Sequence, residues 1–178
     1  MKTLLLGLGN PYLSDDAVGL RLAAALRGPL AVYPDLDVVE DCSVGGLDLL
    51  DVLCGYQRVI VLDSLRARDG VPGDWHHFTA EALRETAHLA GVHDANFATV
   101  LALGRRLGLP LPEPRNIHVF AVEMADGLTF SERMSPRLER KFPAFSAAIL
   151  DRVRALLDHP EVACAGRHIR TPASLPAT

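Results

Sequence analysis

A doubly wound α/β domain is the fold this sequence predicts, and three observations predict it. An apolar run from Leu4 to Leu8 enters a tight turn, Gly7-Leu8-Gly9-Asn10-Pro11, and the acids Asp15 and Asp16 then open an apolar helical pattern. The β-branched run Arg58-Val59-Ile60-Val61-Leu62-Asp63 reads as a strand covered on both faces and ends in an acid. Strand and helix patterns alternate β-α-β-α-β through residue 63, the order that builds a parallel sheet with helices on both sides.

Taken in order, Leu4 to Leu8 forms the first strand, too short before its Gly-rich break to read as a signal sequence. The first helix runs from Asp15 to about Arg27, with Ala17, Val18, Leu20, Leu22, Ala24, Ala25 and Leu26 on a wide apolar face, and Pro29 ends it. Leu36 to Glu40 is the second strand. The turn Asp41-Cys42-Ser43-Val44-Gly45-Gly46 leads from it into a short helix carrying Leu47, Leu49, Leu50, Val52 and Leu53. After the strand ending at Asp63, residues 64 to 75 are rich in Gly, Asp, Arg and Pro and read as a loop or lid. Trp75 to Phe78 is a weaker strand, Ala80 to Leu89 is helix-like, and a helix from about Ala95 to Leu107 follows Gly91-Val92-His93-Asp94. Pro110, Pro112 and Pro114 make a rigid connector before a last strand, Asn116 to Val122. Ser135 to Leu157 is a long terminal helix that Pro143 is expected to kink or split.

The 178 residues, 49% apolar and 22% charged, suit one globular domain, assigned to residues 1–157, with 158–178 expected to be a mobile tail. Against 22 acidic residues stand 18 basic ones, a net charge of -4, so the electrostatic footprint of a nucleic-acid binder is missing. Three widely spaced cysteines, Cys42, Cys54 and Cys164, fit neither a disulfide framework nor a C-x-x-C metal site and point to a reducing cytoplasm. No apolar stretch reaches membrane length.

The chemistry centres on Asp16 and Asp63. In the usual 2-1-3 winding the first and third strands are neighbours, about 5 Å apart, so the loops after them converge. Each acid alone is equally well read as a helix or turn cap. Two carboxylates brought together raise each other's pKa unless a cation or shared proton intervenes, which describes a divalent-metal or acid/base site. His93, between Gly91 and the next helix, is the third candidate, although a lone loop histidine is more plainly a solvated residue. Two carboxylates and an imidazole form a borderline donor set suited to nickel or zinc. Asp41 can support the site through a hydrogen bond or merely shape its turn, and Cys42 lacks a cationic neighbour to activate it. His76, His77, His88, His118, His159 and His168 lack ligand spacing and read as structural or surface residues. Neither a Gly-x-Ser-x-Gly elbow nor a His-Glu-x-x-His helix is present.

In order along the chain stand Gly7-x-Gly9-Asn10-Pro11, Asp15-Asp16-x-x-Gly19, Asp41-x-x-x-Gly45 with Leu49-Leu50, the strand ending at Asp63, His93 before Val100-Leu101, and Val122-Glu123 followed by Leu128 and Ser135-Pro136. In these motifs, spread over residues 1 to 155, the chain resembles the hydrogenase maturation proteases, endopeptidases of nickel-iron hydrogenase assembly. The resemblance implies a three-layer α/β/α domain on a five-stranded, mostly parallel twisted sheet whose fourth strand is antiparallel. It implies an aspartyl-type endopeptidase that reads nickel already inserted in the hydrogenase large-subunit precursor and removes a C-terminal extension. Asp16, Asp63 and His93 match the metal-contacting acid, acid and histidine, and Asp41 matches a further acid linked to cleavage. The implied catalytic set is therefore Asp16, Asp63 and Asp41. Nickel comes with the substrate protein, no organic cofactor is implied, and a monomer or weak homo-oligomer without nucleic-acid or membrane partners is expected. The family's usual Gly-Gly-Thr after the second-strand acid is replaced here by Cys42-Ser43-Val44-Gly45-Gly46, and the segment Arg66 to Phe78 is long and polar.

Two other readings compete. A nickel-dependent assembly chaperone on the same fold would bind the precursor without shortening it. Peptidyl-tRNA hydrolases also open with a strand and Gly-Leu-Gly-Asn-Pro, but continue toward Thr-Arg-His-Asn, where this chain has Ser14-Asp15-Asp16 and an acidic balance.

Overall fold

A computed structural model of the chain describes residues 1–42, 47–67, 69–83 and 92–159, with the backbone alone for residues 41, 42, 83 and 92–98. Five strands, β1 (Thr3–Leu8), β2 (Leu36–Cys42), β3 (Arg58–Leu65), β4 (Trp75–Thr79) and β5 (Ile117–Glu123), form one sheet in the order β2-β1-β3-β5-β4. All neighbours are parallel except β4, which runs antiparallel to β5. The mixed five-stranded sheet implied by the resemblance is therefore observed.

Strand alternation sends two apolar sets to opposite faces. Leu5, Ile60, Leu62, Phe120 and Val122 pack beneath α1 (Val18–Leu30) and α5 (Pro136–Asp158). Leu4, Leu6, Val59, Val61, Leu65, Val119 and Ala121 face α2 (Asp48–Leu53) and α4 (Val92–Arg106). A short α3 (Ala80–Leu83) follows β4. Each side of the sheet has its own dry core, giving three layers. Among the described residues no helix is long and apolar enough to cross a membrane.

Several boundaries differ from expectation for identifiable reasons. Asp15 and Asp16 sit in a 3-10 turn, Ser14–Ala17, ahead of α1, because their carboxylates hold other parts of the chain. Pro29 does not end α1, which continues to Leu30; near the last turn a missing N–H costs only one helical bond, and Leu30 is fully buried. Pro143 does not split α5, which is unbroken from Pro136 to Asp158 with Pro143 on its exposed side, where solvent can reach a carbonyl that loses its helical donor. β3 extends past Asp63 to Leu65, since β5 continues to pair there, Ser64 with Val122 and Leu65 with Glu123. The expected turn 43–46, the later part of the helix over 80–89 and the tail from 160 lie outside the described residues.

Candidate active site at the carboxyl edge of the sheet

The pairing of β1 with β3 ends at Gly7 and Leu62, so Asp63 is the first β3 residue beyond β1, beside the turn that carries Asp16. Two glycines let that turn close. At Gly9, φ is +139° and an added Cβ would stand 2.0 Å from the Asp16 carbonyl oxygen. At Gly19 a Cβ would meet the Leu62 and Leu8 carbonyl oxygens at 2.2 and 2.3 Å, so α1 lies directly on the backbone of both strands. Ser14, with φ at +39°, takes the remaining strain of the turn, held by its N–H on the Ser131 carbonyl (2.8 Å).

Asp16 is buried, and its two oxygens accept different bonds: Oδ2 from the Asn10 N–H (2.8 Å) and Oδ1 from the Ser64 hydroxyl (2.8 Å). The Ser64 N–H donates in turn to Asp63 Oδ1 (2.7 Å). Ser64 thus links the two acids singled out by sequence, fixing the carboxylate of one through its side chain and of the other through its backbone.

Asp63 alternates with Val61 and Leu65 and therefore belongs to the sheet face covered by α4. His93 lies in the first turn of α4, which starts at Val92 rather than near Ala95; its side chain is outside the described residues, as is that of Asp41 in β2. Between Leu6 and Leu8 the β1–β2 register gains a residue on β2, between Val39 and Cys42, an irregularity next to Asp41 of the kind that re-aims a strand. Among the described residues no three His, Cys, Asp or Glu side chains gather around one metal position.

Three features escaped the sequence. Asp15, fully buried, is a hub rather than a second site acid: Oδ2 accepts from the N–H groups of Ala125 and Asp126 (2.9 Å each) and the Ser135 hydroxyl (2.9 Å), and Oδ1 from the Ser135 N–H (2.6 Å). It ties the turn to the loop after β5 and to the start of α5, where Ser135 caps Leu138. Glu123, buried at the end of β5, accepts from the Ala67 N–H (3.0 Å) and pairs with His76 (3.0 Å), anchoring the loop after β3. Tyr12 and Phe130, both exposed, stack with ring centres 6.0 Å apart on the outer side of the turn.

His77 and His118 are structural, as expected, yet form a buried pair (Nε2 to Nδ1, 3.2 Å) under α5, with Arg152 Nε donating to His77 Nδ1 (3.4 Å). Burial, then the neighbouring His118 and Arg152, lowers His77 to about 3; burial, then Arg58 and Arg152, lowers His118 to about 4.

Comparison with known proteins agrees with the resemblance in the motifs. The chain is 32% identical over 73 residues to the hydrogenase 2 maturation protease of Escherichia coli, a stretch covering 41% of this chain and 44% of that relative. The matched segment thus spans less than half of the curated relative's length. The fold is that of the hydrogenase maturating endopeptidase HybD from E. coli, with a TM-score of 0.71 at 23% identity over 90% of this chain and 94% of that one. An endopeptidase from E. coli solved in solution gives a TM-score of 0.70 at 25% identity, over 91% and 95% of the two chains. No family model matches.

Proposed function

We propose that this protein is a hydrogenase maturation endopeptidase that reads nickel in the large-subunit precursor and removes its C-terminal extension. The observation that carries the reading is the Ser64 link between Asp16, in the turn after β1, and Asp63, in β3 just beyond its pairing with β1, on the fold of a maturating endopeptidase. Asp16 and Asp63 supply carboxylate oxygens to the substrate's nickel, and His93, from the first turn of α4, supplies an imidazole. Ser64 and the Asn10 N–H orient Asp16 before the substrate arrives, so little ordering remains to be done on binding.

Docking through the metal puts the scissile peptide beside the two acids. Hydrolysis adds the hydroxyl of water to the carbonyl carbon, breaks the C–N bond and delivers a proton to the leaving nitrogen; Asp41 or one of the acid pair carries that proton. Nickel, belonging to the substrate, polarises the carbonyl or serves as the licence that positions it. The proposed setting is the cytoplasm. Mass spectrometry of the precursor incubated with this protein tests the reading: loss of the extension is expected, and an unchanged mass would replace the protease with a binding chaperone.

A further inference from the structure

We infer that the cleft between the loop after β3 and the start of α5 holds an acidic stretch of the substrate polypeptide, gripped by Arg66 and Arg137. The cleft, about 640 Å³, is lined by Arg66, Ala67, Gly70 and Pro72 on one side and Met124, Ala125 and Arg137 on the other. Arg66 directly follows β3, and Met124 directly follows β5, so the cleft opens at the same sheet edge as Asp63. Ala125, on its wall, is one of the residues held by Asp15, the neighbour of Asp16. The cleft wall is thus tied to the turn that carries Asp16.

The walls are built rather than draped. Lys141 of α5 holds the Pro72 carbonyl (2.7 Å), Glu123 holds the Ala67 N–H, and the Gly73 N–H bonds the Glu123 carbonyl (2.9 Å). At Gly70 an added Cβ would stand 2.2 Å from Glu123 Oε2, so the loop lies flat against that carboxylate. Both guanidinium groups are exposed, and neither makes an ion pair among the described residues. Asp126, the acid next to this wall, accepts from the Leu128 and Thr129 N–H groups (3.0 Å each), and hydrogen bonding from Thr129 and Leu128, with a smaller contribution from Arg66, holds its carboxyl below the usual carboxylate range.

Two guanidinium groups in a cleft, neither in a direct ion pair among the described residues, favour an anion there on a chain of net charge -4. The aliphatic surface of Pro72, Met124 and Ala67 between them suits a peptide side chain ending in a carboxylate better than a bare inorganic ion. The charge order along the edge runs from acidic at Asp16 and Asp63 to basic at Arg66 and Arg137. A substrate complementary to it carries a cationic metal centre followed by acidic residues. This inference rests on the proposed endopeptidase reading for its choice of occupant.

Calorimetric titration of the intact protein with a short Gly/Ser peptide bearing several Glu residues, and with its Gln counterpart, tests it. The Glu peptide is expected to bind about tenfold more tightly, with an affinity that falls as salt rises. In the doubly reversed variant Arg66→Glu with Arg137→Glu, checked for folding by circular dichroism, preference passes to a Lys peptide. Equal binding of the Glu and Gln peptides, or a Glu preference that survives charge reversal, overturns the inference. Precursor mass is measured separately. Shortening of the precursor without Glu-peptide selectivity removes the cleft and leaves the enzyme, whereas selectivity without shortening removes the enzyme and leaves an acidic-peptide cleft.

Discussion

At the carboxyl edge of the sheet Asp15, Asp16 and Asp63 are buried among hydrogen-bond donors of nearby loops, whereas toward the opposite edge His77 and His118 are buried beneath α5. Both clusters remove ionisable groups from water. The carboxylates stay beside the loops at the carboxyl edge, while the imidazoles are sealed between sheet and helix, with Phe120 stacked on His77 at 4.3 Å. Burial of a polar group therefore does not mark a site by itself; its position along the parallel strands decides.

The sharpest break in that comparison is Asp16→Ala. It is expected to lower precursor processing by at least about a hundredfold while circular dichroism stays that of wild type, with stability lowered by only about 1–2 kcal/mol as the Asn10 N–H and the Ser64 hydroxyl lose their acceptor. Unimpaired processing would place the site elsewhere.

The imidazole pair should respond in stability rather than activity. Both folded-state pKa values lie below the ordinary 6.5, so the unfolded chain takes up protons first. Stability is complete above pH 6.5 and falls as pH drops toward about 4, by on the order of a few kcal/mol. Urea unfolding across that range reads the loss, and His77→Gln should flatten its slope; an unchanged slope would remove these histidines as its source.

Asp15→Ala distinguishes hub from site within the acidic edge. It leaves the N–H groups of Ala125, Asp126 and Ser135 without their acceptor and should cost about 2–3 kcal/mol, seen as a lowered unfolding midpoint. A variant as stable as wild type would contradict the structural role. The smallest effect is expected from Ser64→Ala, which removes one hydroxyl from Asp16 and should lower processing about tenfold with stability changed by about 1 kcal/mol. A loss as large as that of Asp16→Ala would make Ser64 more than a positioning residue.

The uneven legibility of the molecule follows the same division. β3 could be read because both its faces are buried and its run is β-branched, and the nearness of Asp16 to Asp63 because β1 and β3 are neighbours. The tie made by Asp15 could not be read locally, since its partners lie 110 to 120 residues further along. The His77–His118 pair joins residues 41 apart across β4 and β5, a register that only the folded antiparallel pairing supplies. Pro29 and Pro143 are locally helix breakers, yet tertiary burial of Leu30, Phe145 and Ile149 keeps both helices running.

The central claim, that the acid pair reads the metal of another protein, is tested most directly by incubating nickel-loaded and nickel-free precursor with wild-type protein and with Asp16→Ala, and weighing the products. The account predicts that only the nickel-loaded precursor with the wild-type protein loses its extension. Equal shortening of both precursors by the wild-type protein would contradict it.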